Sequence, residues 1–589
     1  MERSIQGYLG PTSFVAGLED DGYLISDAGE QSSQDASEGL AISPIPWWRM
    51  RLAEVLRSLQ SFSTIRHLIQ EYYAVTQAAV IPSPVILNAL AEIEITLCES
   101  LPAATDTIAN TQFSTLSTSI VQNTRKSFKI PPYVTGALFH KSFTGSHLRL
   151  EIIGIICALA GRASYFGLSG SRTSNSKSQI RFSRKMLAAC DFALNTCKNL
   201  TVLNDLTLWL VHENLLLSSL VLGDSSSITW QRLGELANDI FELGVHRDTA
   251  SETPLPLLIL ESRRRLFAAA YQFDKSIATF LGRPPRISWR HSDCSLPLDI
   301  PDLALAGNAE ILETAQTSLD ANGWNTRKVY QRATWIRLRF IISTFREEIL
   351  ELSLQKPSEE RTDQLTAVSR RCNQTWASLP EHLHYTPECW ATDLPASVKM
   401  MLLISYMAYL YNEFLVQNLL SNDSEGMNPA QLDVSATILS TTLTLGRQWE
   451  RSIASQRDFS WIILLYGFSA ASVLIRELQK QAKTGQRMLY SGSQASLIRN
   501  LSVFISHMES MALPDQTSSS FFKRATIIFS RIVDEILEPP LRVSLADGDI
   551  DTTLAAELDA PFLLDLEELE LLELLENKDF RASFDQVIC

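Results

Sequence analysis

Between residues 46 and 540, leucine, alanine, glutamate and arginine recur at spacings of three and four, and alternating β-branched runs joined by Asn-Gly or Asp-Gly turns are nearly absent. Such spacing lines apolar side chains along one face of an α-helix, whereas a strand needs a period of two. The fold class read from this pattern is all-α. Helices are expected at about 47–80, 84–100, 146–165, 179–197, 203–222, 229–244 and 256–281. Others are expected at about 325–354, 360–378, 397–421, 430–450, 459–481, 494–511 and 518–537. Residues 46–540 read as one large multi-helix domain with weak breaks at 167–178 and 299–323 and no fixed-period repeat. Residues 1–45, rich in Ser, Gly, Asp and Glu, read as a flexible acidic arm, and 541–589 as an acidic leucine-rich tail, both expected to be disordered.

Charge sharpens this division. The chain carries 51 Lys and Arg against 66 Asp and Glu, a net of −15 over 589 residues. Residues 1–38 hold one basic and eight acidic side chains, net −7, and residues 547–589 hold two against thirteen, net −11. The remaining 39–546 are net +3, so the total does not make the body repel phosphate. With 45% hydrophobic and 20% charged residues the composition is that of a globular chain, which excludes a fibrous, wholly disordered or disulfide-framework protein. Eight cysteines, at 98, 157, 190, 197, 294, 372, 389 and 589, have no regular spacing and read as reduced thiols, and the first residues lack a secretory signal. An intracellular protein is expected. The longest uncharged stretch, 459–475, is interrupted by Ser460, Gly467, Ser469 and Ser472 and reads as a buried helix, so no membrane partner is expected.

Catalytic constellations fail one by one. His212 and Glu213 begin a zinc-protease pattern, but the second histidine position holds Leu216. His246, Arg247 and Asp248 have the order of a kinase catalytic loop, yet Thr253 stands where the metal-binding Asn is needed. Asp20 and Asp21 sit in the acidic arm without further carboxylates at helical spacing, and His382 and His384 read as surface loop residues. No catalytic residue, metal ligand or DNA-reading residue is assigned, and the chain is not expected to be an enzyme; an all-α enzyme is the remote alternative.

The most ordered local signal runs from 261 to 299. Leu266, Ala270, Phe273, Ile277 and Leu281 form one apolar stripe, with Arg263, Arg264 and Arg265 at its start. Gly282 stands where a left-handed helix cap is wanted, and Pro284 and Pro285 stop the helix. Asp274, on the flank of the stripe, calls for a partner such as Arg283 or an arginine from another helix if it is buried. A helix-loop hinge that staples a core accounts for all of these residues.

Together with GELANDIFELGVHRD at 234–248, these residues resemble the middle homology region of fungal-specific transcription factors. Gly244, His246, Arg247 and Asp248 match that family's first element, and Glu261, Arg263, Arg264, Arg265, Leu266, Tyr271, Asp274, Gly282, Arg283 and Pro284 match its second. Phe267, Phe273 and Lys275 depart from the family's Trp, Leu and Arg. A weaker likeness extends to residues 8–13 and to 376–380, with 228–300 the most specific part. The resemblance implies a nuclear regulator of transcription, an activator or co-regulator, with a metabolic or secondary-metabolite gene cluster among the targets such proteins control.

Members of that family usually hold two zinc ions in an N-terminal cluster of six cysteines, two Cys-x2-Cys-x6-Cys halves. No Cys-x2-Cys occurs here, so no cofactor is expected in this chain and contact with DNA is expected to be indirect. Promoter contact then falls to a DNA-binding partner protein, or to a zinc cluster encoded upstream of Met1, seven residues before the Tyr8 element. Residues 563–575, LLDLEELELLELL, are eight leucines and five acids. With Phe562 before them, Leu563, Leu566, Leu569, Leu572 and Leu575 read as the anchors of an acidic activation segment for coactivators, the alternative being a last helix docked on the protein's own core. A metabolite-sensing or protein-interaction module that regulates a DNA-binding partner, with a small-molecule effector and dimerisation, is the competing functional class.

Overall fold

The computed structural model describes residues 46–538 apart from 60, 101–106, 132–134, 169–175, 225, 249–254, 424–427, 450–461, 487 and 512–518. Among the described residues there are helices and no strand, with one isolated bridge between Leu319 and Asn325. The chain divides into two compact units that interleave in sequence. Among the described residues, one takes in those within Met1–Leu217, Gln231–Asp274 and Arg286–Phe340, and the other those within Ser218–Trp230, Lys275–Pro285 and Ile341–Cys589.

The first unit contains α1 (Pro46–Ser58), α2 (Phe62–Val75), α3 (Ser83–Ser100), α4 (Thr107–Arg125), α5 (Leu150–Tyr165) and α6 (Ser176–Leu200). To it also belong most of α7 (Asp205–Leu222), α8 (Ser227–Glu242) and α9 (Leu257–Leu281), short α10 (Asp302–Ala306) and α11 (Ala309–Thr317), and the start of α12 (Arg332–Ser353). α5 is buried at every position except Arg162, as expected of a helix that is apolar all round and therefore central. Its two glycines set how closely its neighbours approach. A Cβ at Gly154 would lie 2.7 Å from Leu210 and 2.9 Å from Ala193, and one at Gly161 would lie 2.9 Å from Leu217 and 3.0 Å from Met186. α6 and α7 therefore pack directly on the backbone of α5.

In the second unit, α13 (Glu359–Ala377), α14 (Ala396–Asp423) and α15 (Pro429–Trp449) pack in succession. A π-helical turn, Ile463–Phe468, then leads into α16 (Ser469–Thr484), followed by the hairpin of α17 (Gln494–Met511) and α18 (Ser519–Leu537). α13 begins conventionally: the Ser358 side chain accepts the Arg361 N–H at 3.2 Å, and Glu359 and Glu360 occupy the positive end of the helix. Phe345, Ile349 and Leu352 meet Leu365, Val368, Cys372 and Val416 in a core cluster.

Several expected boundaries are corrected. The single helix at 47–80 is two, α1 and α2, separated at residues 59–61. The helix expected from 146 starts at Leu150 after two 3-10 turns, Phe139–Ser142 and Gly145–His147. α12 starts at Arg332, not near 325, because Asn325 folds the preceding loop on itself, accepting the Val329 N–H at 2.9 Å and donating to the Val329 carbonyl at 2.8 Å. α4 was not expected, and α10 and α11 occupy the stretch read as a break. The 459–475 stretch is helical over its described part, with Ile462, Ile463, Tyr466 and Phe468 buried. Among the described residues α7 alone is long and apolar enough to cross a membrane, and 83% of that window is buried within the protein. Residues 1–45 and 541–589 lie outside the described residues.

Candidate functional site

In the first unit the matched residues form a lattice of charge-assisted hydrogen bonds at the end of α8 and the start of α9. α8 closes with a Schellman turn: Gly244 adopts φ +71°, Val245 N–H reaches the Ile240 carbonyl at 2.9 Å, and Gly244 N–H reaches that of Phe241 at 3.1 Å. The reversal places the buried His246 edge-on to the Phe241 ring, centroids 5.0 Å apart. Burial holds the His246 pKa below the usual histidine range, which favours the neutral ring. Its carbonyl accepts the Ser292 hydroxyl at 2.6 Å and the Asp293 N–H at 3.2 Å. Arg247 pairs with Asp293 at 2.8 Å, and Asp248 accepts both the Ser295 hydroxyl and Arg264 Nη2, the latter at 3.2 Å. Thus the His-Arg-Asp element fastens the extended chain at 292–295.

Three consecutive arginines cannot share a face, since a helix turns about 100° per residue. Each therefore finds a different carboxylate. Arg263 grips Asp205 in the first turn of α7 with two bonds, at 2.7 and 2.9 Å. Arg264 pairs with Glu261 at 2.8 Å, and Glu261 also accepts the Leu298 N–H at 2.8 Å. Arg265, with a fully buried side chain, bonds Asp302 at 2.6 Å and the Ile300 carbonyl at 3.2 Å. Asp302 receives in addition Arg332 at 3.0 Å and the Ser83 N–H at 2.9 Å. Burial by itself raises the Asp302 pKa, but the Arg265 and Arg332 charges outweigh it and hold the carboxyl below the usual range. Leu266 and Tyr271 are fully buried, Tyr271 lying 4.7 Å from the Phe340 ring and Phe267 packed beside both.

Asp274 is fully buried, and backbone amides from the returning chain bond its carboxylate. Both its oxygens accept the Arg286 N–H at 3.0 Å, and one also accepts the Ile287 N–H at 3.0 Å. Pro284 and Pro285 have no N–H to offer, so the first amide beyond them takes the bond.

The other matched residues lie in the second unit. Gly282, at φ +59°, ends α9 with the same turn, Arg283 N–H reaching the Ala278 carbonyl at 3.0 Å. The Arg283 guanidinium lies over the Trp230 ring, 5.0 Å from its centroid, and Pro284 follows as an exposed residue. Lys275 is 1% exposed and faces Glu347 at 3.5 Å.

Two rejected constellations have clear surroundings. His212 and Glu213 are buried, with Glu213 accepting Arg162 at 2.5 Å and Arg162 lying 5.1 Å from the Tyr72 ring centroid. Burial alone would raise Glu213, but Arg162 and His212 hold its carboxyl below the usual range. His382 and His384 are half-buried rather than surface residues; the His384 ring packs edge-on to Trp376 at 5.3 Å. Phe562, Leu563, Leu566, Leu569, Leu572 and Leu575 lie outside the described residues.

A binuclear zinc cluster of six cysteines is held through thiolates. Burial pushes the Cys157 thiol up to about 12 and holds Cys190 and Cys197 well above the usual thiol range. Among the described residues no three His, Cys, Asp or Glu side chains are grouped to hold a metal. These donors do not fit a zinc cluster. The carboxylates that pair with Arg263, Arg247 and Arg265, namely Asp205, Asp293 and Asp302, carried no signal in the sequence, since they lie tens of residues from their partners.

Residues 148–423 match the fungal specific transcription factor domain. Over 95 residues the chain is 30% identical to a protein of Aspergillus flavus called Transcription factor lepE, the aligned stretch being 16% of this chain and 12% of that protein. No solved structure matches the chain.

Proposed function

Because residues 148–423 are a fungal specific transcription factor domain, we propose that this chain is a nuclear transcription regulator whose helical body positions an acidic leucine-rich tail. The domain match carries the reading, and the motif from Gly244 to Pro284 lies wholly inside it. Within that motif Arg263, Arg264 and Arg265 are each engaged by a carboxylate, so they act as scaffold and do not reach for phosphate. The motif therefore keeps the domain in shape, and the work of contacting partners falls to other surfaces. Residues 563–575 supply leucine anchors between repelling carboxylates, the composition of a segment that folds into an apolar groove on a coactivator. Base-specific promoter contact falls to a DNA-binding partner or to a zinc cluster outside these residues. Control of a metabolic or secondary-metabolite gene cluster rests on the family resemblance.

The test is a reporter assay with the whole chain tethered to a heterologous DNA-binding domain. Activation that falls at least about tenfold when residues 547–589 are removed supports the reading. A tethered chain that is silent and excluded from the nucleus overturns it.

A second reading, a small-molecule sensor, is favoured by Arg346. Its guanidinium is buried and bonds neutral groups, Asn412 Oδ1 at 2.6 Å and the Ala408 carbonyl at 3.2 Å, with the Tyr411 ring centroid at 5.1 Å. No carboxylate among the described residues pairs with it. Stabilisation of the protein by carboxylate-bearing metabolites, lost in Arg346→Met, is the result this reading requires.

A further inference from the structure

The N-terminal half of α6 presents charge of one sign. Lys177, Arg181, Arg184 and Lys185 are all exposed, and their spacing of four, three and one confines them to a stripe about 100° wide and about 12 Å long. Arg181, Arg184 and Lys185 pair with no carboxylate among the described residues, unlike the motif arginines of α9. The sequence explains why: residues 152–190 contain six basic side chains and no acid at all. α8 supplies a carboxylate to the far end of α6, where Glu235 pairs with Lys198 at 2.7 Å, but α1, α4 and α5 offer none to the stripe. α1 contributes Glu54, already paired with Arg51 at 2.9 Å; α4 has no acidic residue; and the single acid of α5, Glu151, is buried against Arg149 at 2.7 Å.

We propose that this stripe binds the phosphate backbone of double-stranded DNA without regard to sequence. A charged surface with no apolar anchor selects a partner recognised by charge alone. The positions exposed here are Lys177, Ser178, Arg181, Arg184, Lys185 and Ala188, with no large apolar side chain among them. A leucine-rich acidic peptide or a bilayer requires apolar surface to hold it, whereas phosphate contacts are made by Lys and Arg directly. The proposal deepens the regulator reading: it supplies a non-specific grip that holds the body near DNA while another module reads bases. Its test is made in solution and does not depend on reporter output, so either can fail alone.

The experiment is fluorescence anisotropy of the full chain with a labelled duplex of about 30 base pairs, over a series of salt concentrations. Each phosphate neutralised contributes about −0.9 to the slope of log affinity against log salt, so four contacts predict a slope of about −3.6. The variant K177Q/R181Q/R184Q/K185Q changes exposed side chains alone, and circular dichroism checks that it remains helical. We expect it to lose at least about tenfold in affinity at low salt and most of the slope, while K480Q/K483Q on α16 binds like the parent. Equal affinity and slope for parent and quadruple variant overturns the proposal. So does a parent that ignores DNA while binding phosphatidylserine vesicles or polyglutamate.

Discussion

Asp274 accepts the backbone N–H of Arg286 on both of its carboxylate oxygens, at 3.0 Å each, across the two prolines that end α9. The carboxylate acts as an anchor for the returning chain. Truncating it strands two amide groups, those of Arg286 and the buried Ile287, and a buried unmade hydrogen bond costs about 1–3 kcal/mol. Asp274→Ala should therefore destabilise the protein by about 2–4 kcal/mol, and Asp274→Asn, which keeps one acceptor, by less. Arg283→Ala removes only an exposed cation–π contact and should cost under about 1 kcal/mol. Urea denaturation distinguishes the two outcomes; equal losses for Asp274→Ala and Arg283→Ala would show that the backbone amides are not what makes Asp274 matter.

Arg265 and Asp302 form a buried pair with side chains 0% and 4% exposed. Breaking such a pair from one side leaves an uncompensated charge, so Arg265→Met should cost about 3–5 kcal/mol, and adding Asp302→Leu should recover part of it. The pair also fixes a pH dependence. The Asp302 pKa is depressed in the folded protein, so its contribution is present above the unfolded carboxylate pKa of about 4 and disappears as pH falls through the lower folded value. Thermal melts from pH 6 downward should show a steeper acid loss in the parent than in Asp302→Asn. Parallel acid limbs would show that the pair contributes nothing to folding.

The helix frame was legible because packing and periodicity agree: α6, α9, α14 and α17 lie within a few residues of their expected spans. α4 was missed because Thr107–Arg125 carries eight Ser and Thr residues, which favour helix weakly. Tertiary packing overrides that preference. Leu116, Ile120 and Val121 are buried, and Arg149 donates to the Asn123, Thr124 and Lys126 carbonyls at 2.8–2.9 Å, closing the end of the helix. The Gly282 cap was legible because a left-handed residue before two prolines has a local cause. The partners of Arg263 and Arg265 were not, since Asp205 and Asp302 lie 58 and 37 residues away and leave no periodic trace.

Asp239, on α8, gives a prediction of opposite sign. Burial raises its pKa to about 6; Lys198 and Arg232 oppose this, while Glu242 and Glu235 add to it. One of its oxygens is buried without a hydrogen-bond partner. A carboxyl whose folded pKa is raised binds its proton more tightly in the folded state, so its stabilisation is present at low pH and is lost as pH rises through about 6. Asp239→Asn should leave stability at pH 4 unchanged and raise it at pH 8 by about 1–2 kcal/mol, a figure discounted for the solvent that reaches this half-buried group. A destabilised variant at pH 8 would show that the carboxylate is held by its basic neighbours instead.

Arg346 supplies the contrast to Arg265. Both guanidiniums are buried, but Arg265 neutralises Asp302 whereas Arg346 bonds an amide oxygen and a carbonyl, and burial pulls its pKa down. Removing Arg346 strands no carboxylate. It also relieves the desolvation of a charge, at the expense of three hydrogen bonds, to Asn412, Thr279 and Ala408, and the stacking on Tyr411. Arg346→Met, which keeps most of the aliphatic volume, should therefore change stability by no more than about 1–2 kcal/mol in either direction, clearly less than Arg265→Met. Side-by-side denaturation of the two variants reads this difference directly. A loss at Arg346 equal to that at Arg265 would mean that the neutral acceptors compensate a buried guanidinium as fully as a carboxylate does, which would remove the ground for the small-molecule sensor reading.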